Sequence, residues 1–76
     1  MKERLPRVTE LEIRRALERA GFGLSRQSGS HAIYKNAAGK RVTLPCHAGK
    51  ILHPKVVQAI LRDADLTVTD LRHLLG

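Results

Sequence analysis

Between Phe22 and Pro45 the chain reads FGLSRQSGSHAIYKNAAGKRVTLP, and the period of this stretch decides the fold. Phe22, Leu24 and Arg26 alternate with Gly23 and Ser25, a spacing of two that belongs to a strand and not to a helix. Gln27-Ser28-Gly29-Ser30 reads as a turn. His31 to Lys35 is then a second short strand, and Asn36-Ala37-Ala38-Gly39 is a hairpin loop, with glycine where a positive φ is needed. Lys40 to Pro45 is a third strand, with Val42 and Leu44 on one face and Arg41 and Thr43 on the other. Three short strands joined by tight turns make an antiparallel meander with one wet face.

Helices flank the meander. Thr9-Glu10-Leu11-Glu12 fits a capping box, Val8 and Ile13 are placed to form a hydrophobic staple, and Ile13, Ala16, Leu17 and Ala20 form one apolar stripe that stops at Gly21. A helix of about 12 residues is expected there. Cys46 to His53 reads as a loop. Pro54 suits the first position of a second helix, whose stripe is Val56, Val57, Ile60, Leu61 and Ala64. Thr67 caps a short final helix that buries Leu71, Leu74 and Leu75. The order α-β-β-β-α-α predicts an α+β sandwich, with the helices on one face of a three-stranded antiparallel sheet and the other face open. The double-stranded-RNA-binding domain is arranged in this way. No repeat, linker or low-complexity tract divides residues 1–76, so a single domain is expected.

The 76 residues carry 14 Lys and Arg against 7 Asp and Glu, a formal net charge of +7. All the acids lie at the two ends, and between Glu18 and Asp63 there are eight Lys or Arg and no acid. Phosphate neutralisation is the natural use of such a stretch, because each contact releases counterions from a polyanion. With one Phe, one Tyr and no Trp, a stacking platform built from several aromatic rings is excluded. A chain this small buries only about 60% of its unfolded surface, and its single cysteine can form no internal disulfide. That lone Cys46 points to a reducing compartment. No apolar run approaches the roughly 20 residues of a membrane span, and MKERLPRVTE has no signal-peptide core. A cytoplasmic protein without membrane attachment is expected.

The histidines at 31, 47, 53 and 73 are the chemical candidates. Their spacing fits no metal site: His47 and His53 are six apart across a glycine, and adjacent Cys46 and His47 cannot readily share an ion. No metal or cofactor is expected, and Cys46 reads as a small loop filler. His31 follows a glycine turn inside the acid-free stretch. Imidazole both takes and gives a proton near neutrality, which is what RNA cleavage needs. A base removes the 2′-hydroxyl proton, that oxygen attacks the adjacent phosphorus, and an acid protonates the leaving 5′-oxygen. Neighbouring cations stabilise the transition-state charge. The spacing leaves one alternative open: His31 shares a strand face with Ile33 and could pack at the rim of the core.

Ser28-Gly29-Ser30-His31 with Tyr34, then Gly39, Val42-Thr43-Leu44-Pro45, His47, the Pro54 helix and Ile60-Leu61-Arg62-Asp63-Ala64 resemble the HicA toxins, small mRNA interferases of toxin-antitoxin pairs. The resemblance covers about residues 7–75. It implies a double-stranded-RNA-binding-domain-like fold, metal-independent endoribonuclease activity on mRNA, His31 as the catalytic histidine of a G-S-H motif, and a cognate HicB-type antitoxin that covers the active site. His47 falls on the P-x-H position, as a phosphate-facing or orienting residue or as a hydrogen-bonded loop histidine. The RNA-binding candidates are Arg26, Gly29, Ser30, Lys35, Lys40, Arg41, His47 and Lys50. Ser30 either meets the scissile phosphate or closes the turn. The chain departs from the family where Lys55 and Asp65 stand at positions often held by glycine. The second reading is a non-catalytic double-stranded-RNA-binding module.

Overall fold

A computed structural model describes residues 5–46 and 50–76. It has three helices and three strands in the expected order: α1 (Glu10–Arg19), β1 (Gly23–Ser28), β2 (His31–Lys35), β3 (Arg41–Pro45), α2 (Pro54–Ala64) and α3 (Val68–Leu75). The strands form one antiparallel sheet in the order β1-β2-β3. The helices cover one face of it, α2 packing on β3, and α1 on β3 and α3. This is the α+β sandwich of the double-stranded-RNA-binding-domain type.

Local chemistry sets the helix ends. The Glu12 N–H donates to Thr9 Oγ1 (3.2 Å) and the Thr9 N–H donates to Glu12 Oε1 (2.9 Å), so the capping box is closed. Val8 and Ile13 are both buried. At the other end Gly21 takes φ +95°, the Phe22 N–H reaches the Leu17 carbonyl (2.9 Å), and the Gly21 N–H reaches Glu18 (3.0 Å). That double closure is a Schellman motif. It ends α1 after ten residues, two fewer than the stripe suggests.

The sheet is longer at one turn and shorter at another than its sequence indicates. β1 runs to Ser28, so the connection to β2 is only Gly29 and Ser30. Gly29 has φ +57° and Ser30 does not have a positive φ, the signature of a two-residue type II′ hairpin. β3 begins at Arg41 because the Lys40 N–H is drawn to Asn36 Oδ1 (2.8 Å) inside the loop. Pairing shifts between Leu24 and Arg26, where Ser25 is the extra residue of a bulge.

Ala32 and Tyr34 of β2, Val42 and Leu44 of β3, Ile13 and Leu17 of α1, Val57, Ile60 and Leu61 of α2, and Leu71 of α3 form one core. Leu74 and Leu75 are only half-buried against it, and so is Val56. Within the stretch read as a loop before α2, Ile51 and Leu52 are held by backbone pairing. Ile51 bridges Thr9, and the Leu52 N–H donates to the Val8 carbonyl (2.8 Å), which ties the entry of α2 to the entry of α1.

Candidate functional site

Because side chains alternate along a strand, burial of Ala32 and Tyr34 against the helices sends His31, Ile33 and Lys35 to the open face. His31 therefore does not pack at the rim of the core, the alternative its spacing left open. The register then builds three rows across this face: Ser28, His31 and Pro45; Arg26, Ile33 and Thr43; and Lys35 beside Arg41. His31 and three of the predicted phosphate-binding cations, Arg26, Lys35 and Arg41, thus share one exposed surface. Among the described residues no carboxylate lies within ion-pair distance of those three cations. Lys35 directly opposite Arg41 is a like-charge pair, which costs stability in a sheet. A surface that accepts this cost uncompensated is suited to an anionic ligand.

The turn before His31 is held from behind. The Cys46 N–H donates to the Ser30 carbonyl (2.7 Å), and Gln27 Nε2 donates to the Gly29 carbonyl and to Cys46 Sγ (3.4 Å each). These contacts fix the backbone from which the imidazole projects. Ser30 and Gly29 are exposed at this turn, beside His31. Cys46 does more than fill a loop, since it joins the end of β3 to the β1–β2 hairpin.

Two of the other candidates stand elsewhere and one is undescribed. Lys40 leaves the cationic group, and its Nζ lies 3.8 Å from Asp65 Oδ2 at the end of α2. Lys50 is exposed beyond the end of β3, around an open depression it shares with Pro45, Ile51, Leu52, His53 and Val56. His47 lies outside the described residues.

His53, for which the sequence suggests no role once a metal site is set aside, has a defined place. It is the N-cap of α2, with Nδ1 accepting from the Lys55 N–H (3.1 Å). The signal was available, since the residue before a proline at the first helical position is the cap. Also unforeseen is the buried carboxylate of Glu10, 6% exposed and paired with Arg14 on the next turn. Burial opposes the Arg14 charge, but Tyr34 and Glu10 beside it prevail, and its pKa stands above the ordinary value. Desolvation likewise pushes the Tyr34 phenol up. These groups lie on the covered side of the sheet, where they anchor α1.

Among the described residues no three His, Cys, Asp or Glu side chains gather into a set that could hold a metal ion. No helix among them is long and apolar enough to cross a membrane. In comparison with known families, the model described as the HicA toxin of bacterial toxin-antitoxin matches residues 12–66, which takes in most of α1, the whole sheet and α2. No curated protein matches the chain.

Proposed function

The chain belongs to the HicA toxin family of bacterial toxin-antitoxin systems, and we propose that it is a cytoplasmic endoribonuclease that cleaves mRNA with His31 as its general acid/base. One observation carries the proposal. His31 stands exposed on an open sheet face that also presents Arg26, Lys35 and Arg41, with no described carboxylate to cancel them.

The chemistry follows from that placement. Arg26, Lys35 and Arg41 hold the phosphates of a single strand against the sheet. His31 exchanges the protons of the reaction: the 2′-oxygen loses its proton and bonds to phosphorus, and the P–O5′ bond breaks as the leaving oxygen is protonated. The products are a 2′,3′-cyclic phosphate and a 5′-hydroxyl. The cations stabilise the additional negative charge on the phosphoryl oxygens in the transition state. Every step uses this chain's own side chains, so the proposed reaction needs no metal. A HicB-type antitoxin that seats on the open face would screen both His31 and the phosphate-binding cations, and that is the neutralisation mechanism we propose.

The test compares the parent with His31→Ala on a defined mRNA, with and without EDTA. Cleavage by the parent in EDTA, a cyclic-phosphate end and loss of at least about a hundredfold in rate for the variant are expected. A variant as fast as the parent, or a parent silenced by EDTA, overturns the mechanism. The layering of the fold favours one second reading, a non-catalytic double-stranded-RNA-binding module, which predicts tight duplex binding that His31→Ala leaves unchanged.

A further inference from the structure

We propose that the depression between the end of β3 and the start of α2 receives the nucleotide next to the phosphate cleaved at His31, its base against Pro45, Ile51 and Val56 and its phosphate near Lys50. This rests on the reading of the open face as the RNA surface, and it adds a place where the identity of a base can be sensed.

The first argument is position. Pro45 is the register partner of His31 in the last row of the sheet and also a wall of the depression. Neighbouring strands lie about 5 Å apart, so the depression begins one strand away from the imidazole. A strand of RNA crossing the row of His31 meets it next.

The second argument is chemistry. The chain's one Phe and one Tyr, Phe22 and Tyr34, are both buried in the core, and it has no Trp. Nothing on the open face can therefore stack a base on an aromatic ring of those kinds. The depression instead offers the flat ring of Pro45, the imidazole of His53 and the aliphatic surfaces of Ile51, Leu52 and Val56, in a volume of about 340 Å³. Cavities of this order suit small-molecule ligands. Ile51 leaves 58% of its surface in water, a large aliphatic side chain with little cover from the rest of the protein. Among the described lining residues the one charged side chain is Lys50, and the nearest acids along the chain are Glu18 and Asp63. An apolar floor with a cationic rim matches a base joined to a phosphate better than it matches a neutral or a cationic ligand.

The third argument is rigidity. The Leu52 N–H holds the Val8 carbonyl and Ile51 bridges Thr9, so the wall has a fixed backbone. Because His53 Nδ1 accepts from the Lys55 N–H, its Nε2 is the nitrogen left to donate. A donor at a fixed place can distinguish the acceptor edges of different bases.

The test uses His31→Ala protein and a fluorescent single-stranded RNA of about ten nucleotides, read by anisotropy, with each substitution added to it. Ile51→Glu puts a negative charge in the depression at an exposed position, and Val56→Phe fills it without charge. Gln58→Glu adds the same charge to the exposed face of α2, outside the depression. Each of the first two is expected to weaken binding about tenfold, and Gln58→Glu less than about twofold. In the otherwise unchanged enzyme, Ile51→Glu and Val56→Phe are expected to redistribute cut sites along a mixed-sequence RNA. If Val56→Phe fails to fold, Ile51→Glu alone decides. Groove variants that bind and cut as the parent does overturn the inference while leaving His31-dependent cleavage intact. A parent that fails to cleave, with RNA binding still weakened in the groove variants, overturns the catalytic reading and leaves the groove standing. Loss of antitoxin binding with RNA binding unchanged would assign the groove to the protein partner and overturn the inference.

Discussion

Gly29 decides where His31 stands. At φ +57° it occupies the left-handed region, and nothing lies within 4 Å of the place where a Cβ would sit, so any penalty for a side chain there is conformational and not steric crowding. Gly29→Ala is expected to cost about 1–2 kcal/mol. In a domain of this size that lowers the thermal midpoint by roughly 5–15 °C. RNA cleavage at a temperature where the variant is still folded should fall as well, because the turn presents the imidazole. An unchanged midpoint in calorimetry would show that the turn relaxes to another type. The contrast with Gln27 is instructive. The run Gln27-Ser28-Gly29-Ser30 reads as one turn, yet Gln27 and Ser28 pair with Ala32 and His31. A two-residue hairpin is the tightest the chain can make, and polar residues tolerate an exposed edge strand, so composition does not mark the boundary.

Helix ends were the most legible elements, and their chemistry makes two predictions. The C-terminal residue that closes α2 is Asp65, at φ 59°, with the Leu66 N–H on the Leu61 carbonyl (2.8 Å). This is the same closure that Gly21 provides for α1, made with a residue for which left-handed geometry is strained. Asp65→Gly is expected to stabilise the protein by about 1 kcal/mol, measured by urea unfolding, since the Lys40 interaction it gives up is an exposed ion pair of little worth. At α3 the backbone N–H of Thr67, and then its side chain, hold the Asp70 carboxylate below its ordinary pKa. A depressed folded-state pKa means the cap contributes stability above the unfolded value and loses it as pH falls through the folded one. Amide exchange in α3 should therefore accelerate, relative to the intrinsic rate, as pH falls from about 5 through the carboxylate range. Asp70→Asn should remove that pH dependence.

Across the molecule as a whole, the net charge of +7 is less informative than its placement. Arg26, Lys35 and Arg41 share one face and Lys40 does not, so the salt dependence of binding should distinguish them. Removing one cation that neutralises a phosphate lowers the slope of log affinity against log salt by about 0.7 for single-stranded RNA. Lys35→Ala and Arg41→Ala are expected to lower it by that amount, and Lys40→Ala by much less. Relief of the cross-strand repulsion should at the same time raise the stability of the first two by about 0.2–1 kcal/mol. Anisotropy titrations at several salt concentrations, paired with thermal melts, check both effects. Slopes for Lys35→Ala and Arg41→Ala unchanged from the parent's would mean the open face is not where RNA lies.

Residues within a few positions of one another set the order of the elements, the capping boxes at Thr9 and Thr67, the glycine stop at Gly21 and the alternation of Val42 and Leu44 with Arg41 and Thr43. All of these, together with the acid-free middle of the chain, are legible in the sequence because helical and strand periods act over such short distances. Which face of β2 is open was settled by packing alone. His31-Ile33 and Ala32-Tyr34 each contain one large side chain with apolar bulk, and the choice falls to whichever pair the helices can cover. Packing also brought Lys40 to Asp65, set Cys46 and Gln27 behind the His31 turn, and gathered Pro45, Lys50, Ile51 and His53 around one depression. Those arrangements depend on α2 seating on β3 and on the bridge from Leu52 to Val8. Packing between parts of the chain so far apart leaves no period or spacing in the sequence.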